Sequence, residues 1–242
     1  MKKQHALVIL LLWAALTGFA WFSPAKAMSD SERRPLAQPP AISLERLSGG
    51  KFMTDFEKYA LDQFPLRDGF RTLKSLFHQY VLLHGDNNGI YLQDGYAAKQ
   101  EYPLKEDSVS HAMERLNHIY DKYLTDAKVY MAVIPDKGYY LAEDAGQLAL
   151  DYDKLFAAVK NAMPWATHVD LTQSLSLEDY YRTDTHWRQE RLLGTATVIC
   201  EALGIPAPKA EDYRIMPLER PFHGVYYGQS ALPMKPETLY LM

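Results

Sequence analysis

Apolar positions recur along most of this chain at helical spacing, and in two places they run together without a break. The first unbroken run leads from Ala6-Leu7-Val8 to Phe22, behind the basic start Met1-Lys2-Lys3. It reads as an export signal or a membrane anchor. The run approaches the ~20 residues that cross a bilayer comfortably, and Ala25-Lys26-Ala27 has the small-x-small form of a signal-peptidase site. Either outcome places the rest of the chain outside the cytoplasmic membrane, secreted or anchored by its N-terminal segment. No cysteine stands directly after the run, which excludes a lipoprotein.

Three regions follow from this pattern: a signal peptide or anchor at 1–27, an extracytoplasmic linker or arm at 28–50, and a domain at 51–242. The arm is polar and carries Pro35, Pro39 and Pro40 before Gly49-Gly50 closes it. In the domain, Phe52, Phe56, Tyr59, Ala60 and Phe64 mark one helix. After Pro65, Phe70, Leu73, Leu76, Phe77, Tyr80 and Val81 mark a second, whose aromatic stripe is expected to be core. Ile90-Tyr91-Leu92 and the Asp94-Gly95 pair predict a strand and a tight hairpin. Helices are expected over 109–124, 152–163 and 188–203, the last stopped by Gly204. The second unbroken run, Val129 to Ile134, is what a strand buried on both faces of a parallel sheet looks like. With a short strand at 168–171, helix and strand alternate, the signature of an α/β domain.

Bulk composition adds exclusions. The net charge is -4 and the sequence pI about 6.1, which gives no footing for nucleic acid. Cys200 is the single cysteine, so neither an internal disulfide nor a thiolate zinc cluster is available. His78, His84, His111 and His118 lie along helical patterns with no acid to complete a metal set, so no metal or cofactor is expected.

The candidate chemistry lies in Tyr180-Tyr181-Arg182-Thr183-Asp184-Thr185-His186-Trp187. Residues two apart in an extended segment face the same way, so Asp184 and His186 can share one site. A carboxylate beside an imidazole fixes its tautomer and stabilises the imidazolium formed on proton uptake. His186 is then a general base and acid, Asp184 its orienting partner and Trp187 a wall of the site. The plainer alternative is that Asp184 or Thr185 caps the next helix. Asp136 and Lys137, at the end of a predicted strand, are either an ion pair or contacts for an anionic or sugar substrate.

Taken together, several blocks resemble the DHHW protein family, relatives of the alginate O-acetylation proteins. The likeness rests on Ser31-Glu32-Arg33-Arg34-Pro35-Leu36-Ala37, Asp62-Gln63-Phe64-Pro65-Leu66-Arg67-Asp68 and Asn87-Asn88-Gly89-Ile90-Tyr91. It continues through Val133-Ile134-Pro135-Asp136-Lys137, Thr183-Asp184-Thr185-His186-Trp187 and Phe222-His223-Gly224-Val225-Tyr226-Tyr227. The resemblance implies an SGNH-hydrolase-like three-layer sandwich with a mostly parallel sheet, incomplete at its C-terminus and preceded by the N-terminal hydrophobic helix. It implies an O-acetyltransferase or esterase acting on a cell-envelope polysaccharide, with Asp184 and His186 catalytic and a membrane acyl-transfer protein as a partner. It also implies a nucleophilic serine in a downstream Asp-Ser block, which this sequence does not contain. Ser230 matches a different segment, and Ser108 and Ser110 read as helix caps. A non-catalytic module that binds glycan or a partner is the alternative.

Overall fold

The helical periods become helices, and the strands come out much shorter than the apolar runs suggest. The computed structural model describes residues 2–242, with side chains from Gln4 onward. The chain divides into two compact units, Met1–Leu82 with Ala231–Pro233, and Leu83–Ser230 with Met234–Met242.

In the first unit, α1 (Lys2–Phe22) contains a 19-residue stretch, Gln4–Phe22, long and apolar enough to cross a membrane and with none of it buried. Strands β1 (Met28–Ser29) and β2 (Arg34–Pro35) pair antiparallel and fold the arm into a small hairpin. Helices α2 (Leu44–Ser48), α3 (Lys51–Asp62) and α4 (Arg67–Leu76) follow, and α4 runs on into a π-helical turn at Phe77–Val81. Polar groups fasten the hairpin to the end of α3. The Arg34 guanidinium donates to both oxygens of Asp62, at 2.9 and 2.6 Å, and Ala37 N–H adds a third bond to the same carboxylate at 2.8 Å. Glu32 lies 2.6 Å from Arg67 and 3.2 Å from Arg71. The aromatic stripe expected to be core is on the surface: Phe56, Phe70, Leu73, Phe77 and Tyr80 are all exposed. Helical spacing reveals an apolar face, not what covers it.

In the second unit, β3 (Ile90–Gln93) and β4 (Tyr96–Lys99) form the expected hairpin. Asp94 and Gly95 take φ of 50° and 80°, the left-handed pair of a type I′ turn. Helix α5 (Glu106–Ile119), extended by a π-helical turn at Tyr120–Leu124, packs on α7 (Tyr152–Ala162) through Met113, Val159 and Met163. Between them lie β5 (Tyr130–Met131) and the short α6 (Gly138–Leu141). Strand β6 (Thr167–His168), α8 (Leu193–Leu203), β7 (Met216–Phe222), α9 (Val225–Ser230) and β8 (Glu237–Leu241) complete the chain. Gly204 ends α8 in the left-handed conformation at φ 69°, as its position predicted.

The expected three-layer sandwich around a parallel sheet does not form. Among the described residues the strands make four separate two-stranded ladders, and three of these are antiparallel. The parallel pair, β5 with β6, holds two residues per strand. The unbroken run at 129–134 suggested burial on both faces. In the fold, Met131 and Val133 pack against the α5–α7 cluster while Ile134 is 49% exposed, and Pro135 removes the next backbone donor. A run covered on one side by helices carries the same apolar letters as a central strand. What it lacks is a ladder on each edge.

Candidate functional site

Residues 180–187 close on themselves. Tyr180 bridges Trp187, Tyr181 N–H donates to the His186 carbonyl at 3.1 Å, and Arg188 N–H reaches the Asp179 carbonyl. Asp184 sits inside this loop, 2% exposed. Its Oδ1 accepts the His186 backbone N–H at 3.1 Å, a turn typical of aspartate, and lies 2.5 Å from His186 Nδ1. Its other oxygen accepts Val225 N–H at 2.8 Å, from the start of α9. The following 3-10 turn, Gln189–Arg191, has no side-chain cap, so Asp184 does not cap that turn. Burial alone would raise the Asp184 carboxyl, but the His186 ring and the two backbone donors outweigh it and hold the group below its ordinary value. The His186 side chain is 76% exposed. With Nδ1 turned to the carboxylate, the ring presents its other nitrogen edge to solvent.

The loop is held from below by groups the sequence did not single out. Thr183 is fully buried. Its N–H and hydroxyl both donate to Glu237 of β8, at 2.8 and 2.7 Å, and Arg182 N–H donates to the second oxygen of that carboxylate at 2.6 Å. The Thr183 hydroxyl in turn accepts Gly224 N–H at 2.8 Å, and its carbonyl accepts Tyr226 N–H at 3.0 Å. At Gly224 a methyl group would overlap the Thr183 carbonyl and the Asp184 Cβ. Only a residue without a side chain lets the two segments approach this closely.

Asp136 and Lys137, expected to be either an ion pair or contacts for an anionic or sugar substrate, come to the same place. Lys137 is 2% exposed, and its ammonium donates to the Tyr181 and Arg182 carbonyls at 2.9 and 3.2 Å, 4.9 Å from the Tyr226 ring centre. Burial pushes its pKa down to about 7, against the pull of Glu237, Asp184 and Asp136. Asp136 accepts Gly138 N–H at 2.6 Å and the Tyr152 hydroxyl at 2.7 Å. The Tyr180 hydroxyl donates to the Pro135 carbonyl at 2.5 Å. Thus 135–137 forms the floor beneath 180–184. Trp187 is half-buried at the end of the loop, and the Thr185 side chain hydrogen-bonds Tyr226.

No serine or cysteine among the described residues hydrogen-bonds the His186 ring. Ser230 is wholly buried, its hydroxyl 3.4 Å from the Tyr227 carbonyl, while Ser108 and Ser110 are exposed on α5. Among the described residues no group of three or more His, Cys, Asp and Glu is placed to hold a metal ion. A separate groove of about 360 Å³ between α7 and the β5–β6 pair is lined by Met131, Phe156, Val159, His168 and Asp170. Neither member of the Asp184–His186 pair lines it.

With this geometry established, comparison with known proteins gives one structural likeness. The fold resembles a solved DHHW family protein. That crystal structure, from Eubacterium siraeum DSM 15702, matches with a TM-score of 0.53 at 24% identity, over 64% of this chain and 54% of its own. The chain therefore spans about half the length of the solved protein it matches. At this identity the likeness is one of fold. No family model matches the chain, and no curated protein matches it.

The blocks that carried the sequence resemblance gather into two sets. In the first unit, the 31–37 and 62–68 blocks meet at Arg34, Ala37 and Asp62. In the second, the 133–137, 183–187 and 222–227 blocks meet around Asp184, and the 87–91 block reaches α9 through Asn87, whose amide donates to the Ser230 carbonyl.

Proposed function

We propose that this chain is an extracytoplasmic member of the DHHW family in which His186, steered by Asp184, serves as general base and acid for acyl transfer or ester hydrolysis on a cell-envelope polysaccharide. The observation that carries the reading is a buried carboxylate, itself fixed by backbone donors, that orients an exposed imidazole. Fixing costs that would otherwise fall on the transition state are met in the fold. The chemistry needs no serine from this chain. A water molecule or a sugar hydroxyl gives its proton to the free imidazole nitrogen as its oxygen attacks the ester carbonyl. The tetrahedral intermediate then collapses, and the imidazolium returns that proton to the departing alkoxide. Asp184 stabilises the imidazolium between the two steps and stays ionised throughout. The acetyl donor would come from a membrane acyl-transfer partner, and α1 would deliver the chain to that membrane as a retained anchor.

The test is hydrolysis of a chromogenic acetate ester, and of acetylated envelope polysaccharide, by the full chain. Replacing His186 with alanine is expected to lower the rate about 10²–10⁴-fold, the usual contribution of a positioned general base. An ester activity that survives His186→Ala unchanged refutes the assignment. The absence of a serine hydroxyl on the His186 ring favours one second reading, a non-catalytic module that binds glycan. Polysaccharide binding without any turnover would establish that reading instead.

A further inference from the structure

The first unit carries an exposed apolar face and a backbone tie that limits where that face can be. Along α4 and its π-helical extension, Phe70, Leu73, Phe77 and Tyr80 repeat at three- and four-residue steps and so share one side. Leu73 is 63% and Tyr80 70% exposed, whereas Ser75, on the opposite side, is 1% exposed. Arg67 and Arg71 lie off the stripe and contact Glu32 of the arm. The stripe therefore looks outward while the rest of α4 is held.

The tie is at Lys26, four residues beyond the end of α1. Its N–H donates to the Gln63 side-chain oxygen at 2.8 Å, and its carbonyl accepts the same side chain's amide at 2.9 Å. Gln63 also donates to the Ala37 carbonyl at 2.9 Å. Four residues of chain reach at most about 14 Å. The headgroup region of one leaflet is about 5–8 Å thick. If α1 crosses a bilayer, the corner Phe64-Pro65-Leu66, next to Gln63, cannot stand far from its surface, and α4 begins one residue later.

We infer that α4 lies on the outer face of the membrane that α1 crosses, with Phe70, Leu73, Phe77 and Tyr80 sunk into the interfacial layer. Aromatic and leucine side chains on one side of a short amphipathic helix suit that layer. The occupant of the face is lipid, and α1 and the corner together form a seat that fixes how the first unit meets the bilayer. The inference rests on α1 remaining as the anchor described under the proposed function.

The test uses the full chain in phosphatidylcholine–phosphatidylglycerol vesicles, with Cys200→Ala as background and a single thiol placed by Leu73→Cys or, as control on the opposite side of α4, Asp68→Cys. Each is labelled with an environment-sensitive dye. The Leu73 dye is expected to shift to the blue and to be quenched by aqueous iodide several-fold less than the Asp68 dye, at every lipid-to-protein ratio. Equal quenching of the two, in protein that alkaline carbonate does not extract, overturns the seat and leaves the anchor standing. Extraction by carbonate overturns both. Protection of Leu73 that vanishes when excess lipid separates the copies shows a second chain on the face, and also overturns the inference.

Discussion

Two polar fastenings hold this protein's chain, one in each unit, and they differ in what surrounds them. In the first unit Arg34 and Asp62 pin the arm to α3 with a two-pronged ion pair, and the Arg34 side chain is 39% exposed. In the second, Lys137, Thr183 and Glu237 pin the 180–187 loop with side chains almost wholly withdrawn from water at Lys137 and Thr183. The first arrangement puts charge against charge where water competes. The second puts single charges against backbone groups, and at Lys137 and Thr183 water cannot replace a lost partner. Removing a partner from the buried set leaves a carbonyl or an amide unsatisfied, which costs about 1–3 kcal/mol per group. An exposed ion pair is worth about 1 kcal/mol or less. Breaking the two fastenings in turn measures that contrast.

The largest effect is expected at Gly224. Alanine there drives a methyl group into the Thr183 carbonyl, and backbone cannot swing aside as a flexible side chain can. Overpacking of this kind costs about 1–3 kcal/mol and occasionally more, and the upper end is expected where backbone is the neighbour. Thermal unfolding of Gly224→Ala is expected at a markedly lower temperature than wild type, with loss of any His186-dependent ester activity. A normal melt would mean that the two segments do not approach as described.

Next comes Lys137→Met, which strips the donor from the Tyr181 and Arg182 carbonyls and should cost about 2–3 kcal/mol. It also has a pH signature. The ordinary lysine value of 10.5 falls to about 7 in the fold. Between those values the unfolded chain holds a proton that the folded chain has released, so this group's contribution to stability rises with pH across the window and is lost as pH falls through it. The neutral amine keeps N–H donors for both carbonyls. Denaturant midpoints are therefore expected to rise from pH 7 toward pH 10 in the wild type and to stay flatter in Lys137→Met. Equal slopes would remove Lys137 from its buried position.

The contrast between the fastenings also explains what was legible in the sequence. Helices α3, α4, α5, α7 and α8 were readable because their apolar period is local, and the Asp94-Gly95 turn because its left-handed pair demands those residue types. The proximity of Asp184 and His186 was readable because two residues separate them. Nothing local announced that Glu237 would reach Arg182 and Thr183 across more than fifty residues, or that Val225 would hold Asp184. Gly224 had no side chain to draw the eye, although its block was among those that carried the resemblance. Lys137 was read as half of an ion pair or as a substrate contact because lysine is rarely buried unpaired, and here its partners are carbonyls, which side-chain identities alone do not show. The parallel sheet and the outward stripe of α4 failed for a shared reason: apolar letters state that water is avoided, and they do not state whether a strand, a helix or a lipid does the covering.

A smaller effect is expected at Glu237→Gln. The amide keeps one oxygen for the Thr183 N–H and hydroxyl, but its NH₂ cannot accept from Arg182. Trading charge-assisted bonds for neutral ones should cost about 1–2 kcal/mol. Amide hydrogen exchange at Arg182 and Thr183 reads this directly and should quicken while the α5–α7 core stays protected. Unchanged exchange at both amides would show that Lys137 and Gly224 hold the loop without help from β8.

The exposed fastening gives the smallest change and the sharpest check on the comparison. Arg34 holds the Asp62 carboxyl down to about 2, with help from Ala37 N–H and against the opposing effect of burial. The group's contribution to stability is present above its ordinary value of 3.8 and disappears as pH falls from there toward about 2, the same sense as the Lys137 window but in a separate range. Asp62→Asn is expected to lower stability near neutrality by about 1 kcal/mol, to respond to salt in the wild type only, and to flatten the acid limb of the stability profile. It should leave the slope between pH 7 and 10 untouched, because no Asp62 proton moves there. If Asp62→Asn instead destabilised the protein as much as Lys137→Met does, exposure would not be what separates the two fastenings. The arm's backbone bond from Ala37 to that carboxylate would then have to be the element that matters.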